Sequence, residues 1–151
     1  RRVIGYLIWL GELMPEIQNR ISTRLRFARP LRTMLNQVSA LSMDLPRIMD
    51  ASISQVVMLL DNYPVPVIYA IWCLHHDETV GEILKQYVTN WQHRKSRLDG
   101  RDLMRIGIPP GPAYREILGK LRAAWLDGRV QSEEEERYLL DQLAAEWKDR
   151  G

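Results

Sequence analysis

Gly100-Arg-Asp-Leu-Met-Arg-Ile-Gly-Ile-Pro-Pro-Gly-Pro112 is the stretch of this sequence that decides the fold. Gly107 ends a short helix, Pro109-Pro110 imposes an extended backbone, and Pro112 occupies the first position of the next helix. The N–H groups at the start of that second helix, around Gly111, have no partner within the helix and face outward. The stretch therefore predicts a shaped connection between two helices.

The segments on either side of this connection also show helical patterns. The run from Val67 to Leu74 is apolar on every face. Its proline entry and the absence of a partner strand favour a buried helix over a buried strand. Apolar residues then recur at helical spacing from Val80 to Trp91, and we expect that helix to end in the basic segment that reaches Arg97.

The sequence after the connection ends in one more capped helix. Asp127-Gly128 is a stop signal, and Ser132 precedes four glutamates. Acidic residues in a first turn are favoured by the helix dipole, so helix electrostatics explain the glutamates without a metal. We predict an all-α fold with no sheet, in which a multi-helix body is followed by a smaller helical region and the division lies between residues 1–98 and 99–151.

Composition limits the class of protein. At 151 residues and 46% hydrophobic, the chain is able to bury a core as one domain or two small helical ones. No stretch approaches the roughly 18 consecutive apolar residues of a membrane-spanning helix, so we expect a soluble protein with no membrane partner. The single Cys73, expected to be buried, fits a reducing cytoplasm. The sequence begins without methionine in what is predicted to be the middle of a helix, so we expect a fragment of a longer protein.

Arginines are concentrated in two parts of the chain, although the formal net charge is only +2. The glutamates near the C-terminus mask both clusters in the total charge. Two basic patches on a globular body suit a partner with a phosphate backbone. Arginines on helix surfaces are equally typical of solvated faces. The clusters are Arg20, Arg24, Arg26, Arg29 and Arg32, and Arg94, Lys95, Arg97, Arg101 and Arg105.

The residue patterns of catalysis are missing from the sequence. It has no Gly-Ser, Asp-x-Asp, Gly-x-Gly or Gly-Lys-Ser/Thr element for nucleotide transfer. His75-His76-Asp77 superficially resembles a metal site, but the only other histidine, His93, lies outside any motif spacing. We therefore predict no catalytic residue and no metal ligand in this chain. The tryptophans are expected to pack in the core, with Trp91 kept open as a base-stacking residue.

The connection between the two helices has a functional and a steric interpretation. N–H groups at Gly111, next to Arg101 and Arg105, are suited to bind a phosphate. Glycines and prolines are also typical of a tight turn between packed helices. The spacing alone leaves both interpretations open.

The motif Gly100-x-Asp102-Leu103-x-x-x-Gly107-x-x-Pro110-Gly111-Pro112, with Ile117-Leu118 and Ala124-x-x-Asp127-Gly128, resembles a known family. It is similar to the C-terminal region of bacterial CCA-adding tRNA nucleotidyltransferases, the family that includes poly(A) polymerases. Upstream, Arg24-Leu25-Arg26-Phe27 resembles an element of the same family.

The resemblance implies a division of labour between this chain and a missing part. In the family, an N-terminal catalytic head holds the Gly-Ser element and paired aspartates, and it uses Mg²⁺ with CTP or ATP. Helical neck, body and tail domains bind tRNA. Residues 1–98 would be neck and body, residues 99–151 the tail, and the chain itself would hold no cofactor and be inactive alone.

The expected function is binding of the tRNA acceptor stem and elbow, which positions the acceptor end for the head. Shape and phosphates dominate recognition of double-stranded RNA, so the contacts should be largely independent of sequence. The expected RNA-binding residues are Arg26, Arg29, Arg32, Arg94, Lys95, Arg97, Arg101, Arg105 and Gly111.

Two other classes of function remain open. The corner between two helices at Gly107 to Pro112 is also typical of a helix-hairpin-helix-like module that binds the phosphate backbone of duplex DNA. A non-enzymatic helical scaffold, with an interface near Val67 to Leu74, is the second alternative.

Overall fold

The computed structural model describes residues 2–149, and within that range it contains nine α-helices, one short 3₁₀ helix and no strand. The predicted all-α class is confirmed. The helices are α1 (Arg2–Gly11), α2 (Pro15–Arg24), α3 (Arg29–Met49), α4 (Ile53–Leu60), α5 (Val65–Leu74), α6 (Glu78–Thr89), α7 (Gly100–Arg105), α8 (Pro112–Leu126) and α9 (Glu133–Asp149), with the 3₁₀ turn at Trp91–His93.

The described residues form two compact units. The first consists of residues 2–51 and 56–92, and the second of residues 52–55 and 93–149. The second unit is therefore discontinuous in sequence, because its short first piece lies at the start of α4.

In the first unit, α1, α3 and α5 pack against one another, α2 packs on α3, and α6 packs on α3 and α5. The predicted buried helix at Val67 to Leu74 is confirmed as part of α5, whose buried face carries Val67, Ile68, Ala70 and Ile71. Cys73 lies on the opposite face and is exposed, so the expectation of a buried thiol was wrong.

In the second unit, α8 packs against α7 and α9. Several helix ends of this unit coincide with glycine, proline or serine residues that are typical of such ends. Gly107 has a φ of 84°, Pro112 begins α8, and Gly128 has a φ of 71° just beyond its end. The Ser132 hydroxyl accepts a hydrogen bond from the Glu135 N–H at 3.2 Å. The core residues are Leu98, Leu103, Ile108, Ile117, Leu121, Leu140, Leu143 and Ala144.

The helix predicted to extend into the basic segment ends earlier. α6 stops at Thr89, a 3₁₀ turn covers Trp91–His93, and residues 94–99 are not helical. The Asn90 side chain donates a 2.6 Å hydrogen bond back to Gln86 Oε1 at this end. The basic residues therefore lie on a loop.

Candidate nucleic-acid interface

The loop after the 3₁₀ turn presents the cations of the second predicted cluster at the surface. Arg94, Lys95 and Arg97 are all exposed. Together with Trp125 of α8 they line an open pocket of about 280 Å³. Three cations around one concave site create the positive potential that attracts an anion.

Contacts with α8 hold the arginines of this pocket in place. The Arg97 guanidinium lies 5.0 Å from the centre of the Trp125 ring, a distance typical of a cation–π contact. Arg94 Nη1 lies 3.4 Å from the Trp125 carbonyl oxygen. Arg122 Nε donates to the Arg94 carbonyl at 2.8 Å. The loop is therefore fixed to α8 through both main chain and side chains.

Trp125 differs from the core residue that the sequence predicts. It is half-buried, and its ring is covered on one side by Arg97. Its indole Nε1 is buried and has no hydrogen-bond partner within residues 2–149. Trp9 is 62% exposed and Trp72 42% exposed, so the prediction that they pack in the core was wrong. Trp91, kept open in the sequence analysis as a base-stacking residue, is half-buried.

Glu136 is a site residue that the sequence analysis assigned only to helix electrostatics. Its side chain is fully buried, at 0% exposure. The Ser96 hydroxyl lies 2.6 Å from Glu136 Oε1 and 2.8 Å from the Leu98 carbonyl oxygen, and the Arg97 N–H lies 3.2 Å from each carboxylate oxygen. The sequence contains a signal for the burial of Glu136, because it precedes Leu140 and Leu143 at the spacing of one helix face. It contains no signal for the contact with the loop.

The corner between α7 and α8 has the predicted geometry. The Ile108 N–H donates to the Leu103 carbonyl at 3.1 Å and the Gly107 N–H to Met104 at 3.0 Å, which is a Schellman motif. The Tyr114 hydroxyl donates to the Ile108 carbonyl at 3.0 Å. The backbone between the helices is thus tied down on both sides.

The N-termini of α7 and α8 differ in whether a side chain caps them. At α7, the Asp99 carboxylate accepts from the Arg101 N–H at 2.7 Å within a capping box, so that terminus is occupied. At α8, Gly111 is exposed and provides no side-chain cap. Arg101 and Arg105 are exposed on α7, and Arg105 Nη1 lies 3.4 Å from Asp102.

The first predicted arginine cluster lies in the other unit. Arg26, Arg29 and Arg32 are exposed around the connection from α2 to α3. Arg26 has a φ of 50°, a left-handed conformation at the position after a helix that usually holds glycine. The Phe27 N–H donates to the Ser22 carbonyl at 2.9 Å, which closes the turn.

Asp77, one of the residues considered for a metal site, has a structural role. Asp77 caps α6 by accepting from the Thr79 and Val80 N–H groups at 2.8 and 3.1 Å. Within residues 2–149, no three His, Cys, Asp or Glu side chains come together in an arrangement that would hold a metal ion.

Within residues 2–149, no single helix is long and apolar enough to cross a bilayer. The helices α4 and α5 satisfy the length and composition criterion only as a pair, bent by 113°.

Comparison with known proteins gives one similarity. A curated relative, the A-adding tRNA nucleotidyltransferase of Geobacter sulfurreducens, is 30% identical to this chain over 95 residues. The match covers 63% of this chain but 11% of the relative's length. No family model and no solved structure matches the sequence. The similarity supports a relationship to tRNA nucleotidyltransferases.

Proposed function

We propose that this chain is a tRNA-binding helical part of a tRNA nucleotidyltransferase, and that it contacts tRNA mainly through phosphates. The observation that carries the proposal is the open pocket in which Arg94, Lys95 and Arg97 surround Trp125. The similarity to an A-adding tRNA nucleotidyltransferase supports the choice of RNA as the partner.

The proposal assigns separate groups of cations to separate parts of the RNA. Arginine binds phosphate through a planar fork of N–H donors, whereas lysine acts as a compact point charge. In the proposal, Arg94, Lys95 and Arg97 bind one stretch of backbone. Arg101, Arg105 and the N–H groups at Gly111 contact a further stretch. Arg26, Arg29 and Arg32 form a second basic surface for the tRNA acceptor stem or elbow.

In this proposal, another part of the enzyme catalyses nucleotide addition. A catalytic head of the same polypeptide would bind Mg²⁺ and CTP or ATP and add nucleotides in the cytoplasm. This chain would position the acceptor end for that reaction.

A binding titration with transcribed tRNA at several salt concentrations tests the proposal. The triple variant Arg94→Gln, Lys95→Gln, Arg97→Gln removes three candidate phosphate contacts. The slope of log K against log salt should fall by about 2 to 3, since each contact contributes about 0.9. Binding should weaken to a similar extent for tRNAs of different sequence.

A matched triple variant controls for net charge. Arg47, Lys85 and Lys120 are exposed residues that pair within their own helices with Asp44, Glu82 and Glu116. Changing all three to glutamine removes the same charge and should leave the slope almost unchanged. Equal losses in both variants would refute a local binding site.

Competition between tRNA and duplex DNA distinguishes the alternatives. The helix-hairpin-helix alternative predicts that DNA displaces tRNA. The scaffold alternative predicts that the Arg94, Lys95 and Arg97 variant binds tRNA as the unaltered chain does. Either result would overturn the proposal.

A further inference from the structure

The contacts of Glu136 raise a question that helix electrostatics do not answer. Transfer of a carboxylate from water to a protein interior is costly unless hydrogen bonds compensate it. The Glu136 carboxylate is fully buried, and its partners are a hydroxyl and a main-chain N–H, both neutral donors. A buried charge at this position therefore needs a further reason.

Both donors belong to the loop that carries the cations. Ser96 and Arg97 are 40 and 39 residues away from Glu136 in sequence, and residues 94–99 lack helical hydrogen bonds of their own. The Arg97 N–H points to the carboxylate while its guanidinium lies over Trp125. Glu136 thus fixes the backbone from which the guanidinium projects.

We infer that Glu136 is a positioning residue, which holds the loop of residues 94–97 in its phosphate-binding conformation before RNA arrives. The inference deepens the proposed function and rests on it. Ordering a loop in advance lowers the entropy that binding would otherwise cost. Glu136 itself would not touch the RNA.

The sign of a mutational effect separates this role from simple electrostatics. A negative charge close to an anion site repels phosphate, so removal of that charge alone should strengthen binding. Loss of a positioning contact should weaken binding even though the net charge becomes more positive. The two explanations therefore predict opposite results for Glu136→Ala.

The chain offers a matched control for this comparison. Glu134 lies in the same first turn of α9 and is exposed. Glu134→Ala removes the same charge without touching the loop and should leave tRNA binding equal or slightly tighter. Glu136→Ala should weaken it roughly three- to tenfold, the effect of losing about one phosphate contact at about 0.1–0.2 M salt.

Glu136→Gln serves as the conservative rescue. Its amide oxygen still accepts from the Arg97 N–H and the Ser96 hydroxyl, while the negative charge is gone. We expect tRNA binding at least as tight as that of the unaltered chain. If Glu136→Gln binds as weakly as Glu136→Ala, the negative charge and not the hydrogen-bonded position is what matters, and the inference is wrong.

Hydrogen exchange of the Arg97 amide supplies a readout that needs no RNA. The amide should exchange faster in Glu136→Ala than in the unaltered chain, and Glu134→Ala and Glu136→Gln should preserve its protection. Circular dichroism verifies that each variant is folded. Should Glu136→Ala unfold, Ser96→Ala removes the hydroxyl that contacts Glu136 and the Leu98 carbonyl. This variant should also weaken tRNA binding and speed exchange at Arg97.

The outcomes separate this inference from the proposed function. If the unaltered chain binds no tRNA, the proposed function fails. If it binds tRNA but Glu136→Ala binds equally well or better, or if the Arg97 amide keeps its protection in that variant, only the positioning role is overturned.

Discussion

The corner between α7 and α8 leads to a prediction about Gly107. Its φ of 84° lies in the left-handed region, and a Cβ at this position would meet no atom within 4 Å. Gly107→Ala therefore introduces no clash, and its whole cost is conformational. A side chain in this backbone conformation costs about 1–2 kcal/mol. The smaller entropy of unfolded alanine offsets about 0.4–1 kcal/mol, so we expect a net loss of about 1 kcal/mol.

Gly119→Ala is the matched control within the same unit. Gly119 lies inside α8, and a Cβ there also meets no atom within 4 Å. In a helix interior, alanine is favoured over glycine by about 0.8–1.0 kcal/mol. The same chemical change should therefore stabilise the unit at Gly119 and destabilise it at Gly107.

Urea unfolding of the second unit, followed by circular dichroism, measures both effects. With a denaturant slope of about 1–3 kcal/mol per molar, the midpoint should fall by about 0.3–1 M in Gly107→Ala. It should rise by a similar amount in Gly119→Ala. If Gly107→Ala raises the midpoint as Gly119→Ala does, the left-handed conformation at the corner is wrong.

Three further predictions concern stability. Leu121 is fully buried in the second unit, so Leu121→Ala should lower the free energy of unfolding by about 2–5 kcal/mol in urea denaturation, and a loss below 1 kcal/mol would contradict its core position. Asp127 accepts hydrogen bonds from both the N–H and the hydroxyl of Ser54 at 2.8 Å. In thermal unfolding, Asp127→Ala should therefore lower the free energy of unfolding by about 1–3 kcal/mol, and Ser54→Ala should lower it by less. A larger loss in Ser54→Ala than in Asp127→Ala would count against this contact. Burial, and then the hydrogen bond to Asp44, raise the pKa of Tyr63, so the folded state holds this proton longer than the unfolded state. This stabilisation of the folded state is present at neutral pH and is lost as pH rises through the raised pKa. In absorbance titrations of tyrosinate, Tyr63→Phe should remove the tyrosine whose ionisation needs a raised pH. A titration curve that is unchanged at alkaline pH would refute this.

Helix ends could be predicted from the sequence where local chemistry determines them. Gly107, Pro112 and Ser132 act through their own backbone or side chain, so their roles follow from residue type. The loop at residues 94–99 could not be predicted in this way. Its sequence contains no proline or internal glycine, and its path depends on hydrogen bonds to Glu136, far along the chain.

The candidate site shows the same limit. The exposed arginines could be found by residue type alone, because long charged side chains rarely lie inside a protein. Trp125 and Glu136 could not be assigned to the site without the fold. An amphipathic pattern predicts which face of a helix is buried, but it does not identify the loop that reaches that face.

The hydrogen bonds between Ser54 and Asp127 have a consequence for synthesis of the protein on the ribosome. The two residues are 73 positions apart, and both belong to the second unit. At a synthesis rate of about 5–20 residues per second, Ser54 waits roughly 4–15 s for its partner. By the time Asp127 is made, the nascent first unit has all of its own residues, which end at Gln92, and residues 52–55 still lack the contact with Asp127. An expression fragment beginning at His93 would lack them permanently, so a fragment that is meant to preserve the second unit has to begin before Ser52.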